Sequence, residues 1–392
     1  MAVKPGYKQT EVGIIPVNWN AVSVGTIASF TSGSGISVAS LRGESSDTPV
    51  PVFGGNGIAG FTDWPLVREP TVVVGRVGQK CGEVYLTSGP AWITDNALYP
   101  RTKHREFDVR FLALALNGAG LNDVKNRNDL PLVTQAILHA VRIAWPPDIK
   151  EQEAIAKASS DIDALIGSLD RLIAKKRDLK RATMQHLLTG KIRLPGFSGE
   201  WETKRLGEIA DLHRRNVVPA ASPDVMFMHF SLPAFDEGQR AVIEPGVAIG
   251  SNKFQVPQDA VLVSKLNPRI PRVWAPESIG PTAIASTEFL VLTPTDKISR
   301  SFLFVICSSP KFCEQMELSA TGTTGSHQRI SPGKALRIQI WLPTNSKEQT
   351  AISIILADMD AELAALEQRR DKTRALKQAM MQELLTGRTR LV

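Results

Sequence analysis

Residues 148–194 and 345–391 are one segment written twice. DIKEQEAIAKASSDIDALIGSLDRLIAKKRDLKRATMQHLLTGKIRL aligns without a gap to NSKEQTAISIILADMDAELAALEQRRDKTRALKQAMMQELLTGRTRL, over 47 positions at a constant offset of 197. Lys150-Glu151-Gln152 returns as Lys347-Glu348-Gln349, Asp161 and Asp163 as Asp358 and Asp360, and Leu187-Leu188-Thr189-Gly190 as Leu384-Leu385-Thr386-Gly387. A shorter match has another offset: Trp19, Gly25, Ile27 and Ala28 return as Trp201, Gly207, Ile209 and Ala210, displaced by 182. The ends of the repeat agree and the middles do not, so a duplicated frame carries two different inserts.

Each repeated segment reads as a long helix. Asp148 and Asn345 are good N-caps, and Glu151 and Glu348 follow at the capping-box spacing. No proline interrupts either run, and Gly190 and Gly387 stand where a helix ends. About 40 residues at a rise of ~1.5 Å make a rod of roughly 60 Å. Apolar residues follow a four-three spacing: Ile155, Ile162, Ile166, Leu169 and Ile173 in the first helix, and Ile352, Leu356, Met359, Leu363 and Leu366 in the second. This is a coiled-coil seam, which weakens at Lys176, Lys180, Arg370 and Lys377. The expected fold is mixed α/β: two globular lobes separated by two long antiparallel helices that form a coiled-coil spacer, with a pseudo-twofold internal repeat. The boundaries are 1–146 for the first lobe, 147–193 for the first helical region, 194–343 for the second lobe and 344–392 for the second helical region. An apolar stripe off the seam (Leu165, Leu172, Leu179 and Leu188, with Leu385 in the second copy) is expected to face a partner protein.

Hydrophobic residues make up 43% of the 392 and charged residues 22%, which describes a folded chain rather than a disordered one. The three cysteines form no CxxC pair, so a reducing cytoplasm is expected. The N-terminus lacks the apolar run of a signal peptide, and Leu130–Trp145 is too interrupted by polar residues to span a membrane. The net charge is +7, spread so that segments 1–147, 148–193, 194–346 and 347–392 each carry between +1 and +3. Binding to nucleic acid would need locally arranged charge, not a global field.

The variable lobes, 20–145 and 202–342, show short β-rich runs at 71–74, 83–86, 260–263 and 289–292, and helical stretches at 107–117 and 301–318. Glycine-rich loops lie between them. Gly54-Gly55-Asn56 follows a strand end, Gly75-Arg76-Val77-Gly78-Gln79-Lys80 follows the valine run, and Gly322-Thr323-Thr324-Gly325-Ser326-His327-Gln328-Arg329 precedes Ile330. Small residues admit close approach of a ligand, and backbone N–H groups with the Thr324 and Ser326 hydroxyls suit phosphate oxygens. Arg76, Lys80 and Arg329 suit guanine edges or phosphates, while Asn56 and Gln328 suit adenine. Lys265, Asn267, Arg269 and Arg272 follow a strand in the second lobe. His327 reads as a hydrogen-bonding residue, because the six histidines show no metal-ligand spacing.

No Walker loop, no NPPY-type methyltransferase motif, no GxSxG and no nuclease carboxylate spacing can be read. No catalytic residue and no metal site are therefore assigned. From the residues alone three functions stay open: a DNA-recognition subunit, a methyltransferase or nuclease with an unrecognised site, and a coiled-coil scaffold that binds proteins.

The arrangement resembles the specificity subunit of type I restriction–modification systems. The matching features are Lys150-Glu151-Gln152 entering a long helix, the exits Leu187-Leu188-Thr189-Gly190 and Leu384-Leu385-Thr386-Gly387, and the Trp-x5-Gly starts at Trp19 and Trp201. The resemblance implies that each lobe is a target recognition domain reading half of a split, asymmetric sequence in double-stranded DNA. It implies that the helices dock two modification (methyltransferase) subunits, and that restriction (translocase/nuclease) subunits join that core. AdoMet, ATP and Mg²⁺ would belong to those partners, with no cofactor in this chain. The first lobe lacks a clear counterpart of Gly322–Arg329, and Asn126–Gln135 sits near that place.

Overall fold

The computed structural model describes residues 4–124, 131–322 and 328–391. Both long helices form, as Ile149–Leu187 and Ser346–Leu385. Asp148 Oδ1 accepts the Lys150 N–H and Asn345 Oδ1 the Lys347 N–H, each at 2.9 Å, so both caps are as expected. The capping boxes are not. Glu151 and Glu348 are each 1% exposed, and their carboxylates are held by arginines instead of reaching back to the cap. A buried carboxylate is better stabilised by a bidentate guanidinium than by one amide N–H, which is why the capping geometry is given up. Gly190 and Gly387 leave their helices at φ +66°, the left-handed conformation that favours glycine.

The chain divides into two compact units, Met1–Asp170 with Gln368–Val392, and Arg171–Glu367. The division falls inside both long helices, so each unit owns part of each.

In the first unit a four-stranded antiparallel sheet has the order Ala28–Ser32, Ala97–Lys103, Val72–Gly75, Val84–Leu86. Val72, Val73 and Val74 are wholly buried, as a continuous β-branched run in a central strand should be. Helix Val109–Gly118 packs Phe111, Leu112 and Leu116 into the same core, together with Trp19, Ile155 and Leu384. A second, three-stranded sheet runs Gly57–Thr62, Val50–Gly54, Trp92–Ile93, the last pair parallel. Strand Arg142–Trp145 pairs with Asn20–Ser23 just before the first long helix begins.

The second unit repeats the four-stranded sheet in the same order: Ala210–His213, Phe289–Pro294, Val261–Ser264, Val273–Trp274. Strand Gln339–Pro343 pairs with Trp201–Arg205 just before the second long helix. The additional sheet differs. It has five strands, in the order Asn216–Val217, Lys253–Gln255, Ala283–Ser286, Met226–Phe230, Val242–Pro245. The helix expected over 301–318 is two helices, Arg300–Cys307 and Pro310–Leu318. Pro310 has no N–H to continue a helix, and the Ser309 hydroxyl caps the new one by accepting the Phe312 N–H.

Within each unit the long helices run antiparallel, as expected. In the first, Lys377 pairs with Asp163 at 2.6 Å and Arg374 with Asp170 at 2.9 Å. In the second, Lys180 pairs with Asp360, Arg177 with Glu367, and Lys176 with Glu362 at 2.6 Å. Asp163–Lys377 and Asp360–Lys180 are one pair repeated at the 197 offset, as are Asp170–Arg374 and Glu367–Arg177. Leu169, Ile173, Ile352 and Leu356 are buried on the apolar seam. Where the apolar seam weakens, the lysines and arginines continue it as ion pairs, each worth under about 1 kcal/mol at an exposed position.

Candidate nucleic-acid interface

The entry to each long helix is locked to the short Trp motif. In the first unit Arg390 donates to both oxygens of Glu151, and Trp19 Nε1 donates to the same carboxylate at 3.0 Å. In the second, Arg193 donates to Glu348 at 2.6 and 2.7 Å. Each arginine also lies over its tryptophan ring, 5.8 Å from the centroid. Gln152 and Gln349 donate to the carbonyls of Pro146 and Pro343, both at 2.9 Å. These repeated contacts hold the first residues of each helix against a lobe, and so fix the lobe's loops relative to its helix.

Each four-stranded sheet then presents a loop cradle at the end of its third strand. In the first unit, Arg76 follows strand Val72–Gly75. Its N–H donates to the Asn96 carbonyl at 2.9 Å, and its carbonyl accepts the Val133 N–H at 2.9 Å. In the second unit, Lys265 follows strand Val261–Ser264. Its N–H donates to the Glu288 carbonyl at 2.8 Å, and its carbonyl accepts the Ile330 N–H at 3.1 Å. Val77 bridges Leu132 as Leu266 bridges Arg329. The Pro131–Gln135 end of the Asn126–Gln135 stretch is therefore the backbone counterpart of the chain around Arg329, with Leu132 in place of the arginine.

The side chains around the two cradles differ. In the first, Arg76 Nη1 donates to the Ser32 hydroxyl at 3.0 Å and to the Asp95 carbonyl at 3.4 Å, so that nitrogen is held inside the lobe. Asn56 Oδ1 accepts the Lys80 N–H at 3.3 Å, joining the two glycine loops that sequence placed apart. A Cβ on Gly55 would stand 2.4 Å from the Val77 carbonyl oxygen, and one on Gly75 2.4 Å from that of Gly55. The close approach that Gly55 and Gly75 permit is between the loops themselves, whereas a Cβ on Gly54 at the strand end would make only ordinary contact with Thr94 and Gly57. Lys80 is exposed, with its ammonium 3.7 Å from Glu83.

In the second cradle, Arg329 lays Nε 3.2 Å from both oxygens of Glu288. Burial holds the Lys265 ammonium below the usual lysine range against the pull of Glu288, and the neighbouring charges of Arg214 and Arg329 add to the depression. Asn267 sits at φ +51°, donates its N–H to the Gln328 carbonyl at 2.7 Å, and buries an Oδ1 that finds no hydrogen-bond partner among the described residues. Arg269 is exposed and makes no ion pair among the described residues. Arg272 is turned away from this group: it clamps Asp236 in a bidentate pair at 2.7 and 2.8 Å. Thr324, Ser326 and His327 lie outside the described residues.

Ser32, Asn96, Arg214 and Glu288 complete the cradles and went unnoticed in the sequence. The repeat held a signal for one pair, since Ser32 and Arg214 stand at the same 182 offset as the Trp motifs. Asn96 and Glu288 both precede the strand that closes the cradle, but no motif marks them.

Of the stripe assigned to partners, Leu165, Leu172 and Leu179 are 40%, 39% and 50% exposed. Leu188 and Leu385 instead pack against the cores of the second and first units. Beside Leu188 lies a groove of about 430 Å³ lined by Met184, Ile306, Phe312 and Trp341. Beside Leu385 lies one of about 560 Å³ lined by Ala115, Gly118 and Ile143. Among the described residues no cluster of three or more His, Cys, Asp or Glu is placed to hold a metal ion. No described helix is long and apolar enough to cross a membrane.

This architecture has relatives. The family model of the type I restriction modification DNA specificity domain matches twice, over residues 16–175 and 198–374, once per copy of the frame. The type I restriction enzyme MjaVIII specificity subunit of Methanocaldococcus jannaschii is 24% identical over 358 residues, covering 83% of this chain and 80% of that protein. The crystal structure of the S subunit of a type I restriction-modification system from M. genitalium superposes with a TM-score of 0.63 at 16% identity, covering 97% of this chain and 99% of that one. A chain from a structural study of assembly and conformational transition in the type I R-M system gives a TM-score of 0.51 at 16% identity, covering 95% and 99%. With the family model matching both copies of the frame across most of its length, the chain belongs to the type I restriction modification DNA specificity domain family.

Proposed function

We propose that this chain is the DNA-specificity subunit of a type I restriction–modification complex, and that it reads a bipartite, asymmetric target and directs methylation or cleavage by partner subunits. The observation that carries the reading is the cradle built twice on one backbone plan with different side chains. Like frames address the same kind of ligand, and unlike side chains read unlike half-sites. The chain has no catalytic role of its own in this reading. Two modification subunits dock on the paired helices, where Leu165, Leu172 and Leu179 offer apolar surface, and restriction subunits join them. AdoMet, ATP and Mg²⁺ are used by those partners, and the complex works in the cytoplasm.

The test is a domain exchange. Replacing residues 20–145 with the corresponding lobe of another family member is expected to change one half-site and leave the other. Changes in both halves, or binding without the steep salt dependence of phosphate contacts, would contradict the proposal. Inserting whole helical turns into both long helices is expected to lengthen the unread spacer between the half-sites.

A further inference from the structure

The Arg329–Glu288 pair of the second unit sets a carboxylate among the cations of the cradle. The backbone on both sides is fixed. Arg329 exchanges two 2.9 Å hydrogen bonds with Thr321 and bridges Leu266, while the Glu288 carbonyl accepts the Lys265 N–H at 2.8 Å. Both side chains reach the surface, Arg329 at 48% and Glu288 at 27% exposure. If this cradle only held phosphates, the cations would serve alone and the carboxylate would repel what they attract. A carboxylate here selects for a ligand that presents a hydrogen-bond donor.

Duplex DNA offers such donors only on base edges, as exocyclic amines. The major-groove edge of a G·C pair presents two acceptors, guanine N7 and O6, and then one donor, the cytosine N4 amine. A guanidinium beside a carboxylate is the complement of that edge. An A·T pair places its donor between two acceptors and ends in a methyl group, so the carboxylate would face an acceptor or the methyl.

We propose that Arg329 and Glu288 together read one G·C base pair in the half-site of the second unit, Arg329 on guanine O6 and N7 and Glu288 on the cytosine N4 amine. The proposal rests on the DNA-specificity reading above and assigns a base pair to it. The backbone counterparts in the first unit are Leu132 and Asn96, which carry neither charge. The same pairing is therefore absent from the other half-site's cradle.

The experiment selects duplexes from a random-sequence DNA library with the full chain assembled with its modification subunits. Wild type is expected to return a two-part motif with an invariant G·C at one position of one half. Glu288→Ala is expected to lower discrimination at that position roughly 5- to 150-fold while tightening binding to unrelated duplexes, because a charge repelled by phosphate is gone. Arg329→Lys keeps the charge and loses the fork, so it is expected to lose discrimination there and keep the salt dependence. The rest of the motif serves as the control for folding. A two-part motif without an invariant G·C in either half, or one whose G·C preference survives both substitutions, overturns this proposal and leaves the DNA-specificity reading standing. Selection of no motif at all overturns that reading too.

Discussion

The two units spend their sequence differently on frame and cradle. The frame's holding contacts recur with the same residue types: Arg390–Glu151 and Arg193–Glu348, Asp163–Lys377 and Asp360–Lys180, Gln152 on Pro146 and Gln349 on Pro343. The cradles keep the backbone hydrogen bonds and change the side chains, from Ser32, Asn96 and Leu132 to Arg214, Glu288 and Arg329. Backbone hydrogen bonds do not depend on side-chain identity, so the plan can hold while its chemistry varies. A scaffold that must position and a surface that must discriminate are thereby separated within each unit.

One difference inside the frame gives the largest test. Glu151 retains Trp19 Nε1 as a second donor, whereas Trp201 Nε1 is buried with no acceptor among the described residues. Arg193→Ala strips Glu348 of the only side-chain donors found for it among the described residues, and is expected to destabilise the second unit by about 3–5 kcal/mol. Arg390→Ala should cost the first unit about 1 kcal/mol less, because one hydrogen bond to Glu151 survives. Hydrogen-exchange protection measured separately in the two units reads both. Equal losses would show that the tryptophan contributes nothing to holding the carboxylate.

A second difference concerns acid. Helix Val109–Gly118 is capped by Asp108, which accepts the Arg110 and Phe111 N–H groups, while Arg300–Cys307 is capped by Ser299. Burial raises the Asp108 pKa, but the Arg110 side chain and the two backbone N–H groups outweigh it and hold the carboxyl below the usual aspartate range. A folded-state pKa below the unfolded one adds stability that is present above the unfolded value, near 3.9, and is lost as pH falls through the folded value. The first unit should therefore loosen at this helix in acid more than the second. Asp108→Ala should cost about 0.5–2 kcal/mol at neutral pH, and Asp108→Asn should keep the cap while removing its pH dependence. Helix-specific exchange at pH 3 and pH 7 distinguishes these outcomes.

The smallest effect is expected where the units agree. Lys180→Ala and Lys377→Ala each break an exposed ion pair of the same kind and should each cost under about 1 kcal/mol, less at high salt. A markedly unequal pair of values, measured by the same exchange experiment, would show that the repeat is less symmetric than its geometry.

The helices were the most legible part of the chain. Their caps, exits and antiparallel pairing follow from periodicity and from the repeat, because a helix is specified by residues a few positions apart. The capping boxes fail for the same reason: the spacing shows Glu151 a local partner within reach, while its stronger partner, Arg390, lies 239 residues away. The break at Ser309-Pro310 was there to be read, but the apolar pattern runs across it. In the loops, spacing found the cations but could not say which are occupied. Arg272 and Arg269 are alike in the sequence, and only the pairing of Arg272 with Asp236, 36 residues back, separates them.

By itself the sequence determined a duplicated frame, two capped rods with a matching seam, and two unlike inserts, since these depend on local propensity and on repetition at fixed offsets. Only the tertiary structure decided which polar side chains are consumed in holding the lobes and which remain at the surface, and that the glycine loops of the first lobe pack on each other. It also showed that Leu132 and Arg329 occupy the same place on two copies of one plan. Those outcomes are set by partners tens to hundreds of residues apart, and no window along the chain contains both members of such a pair.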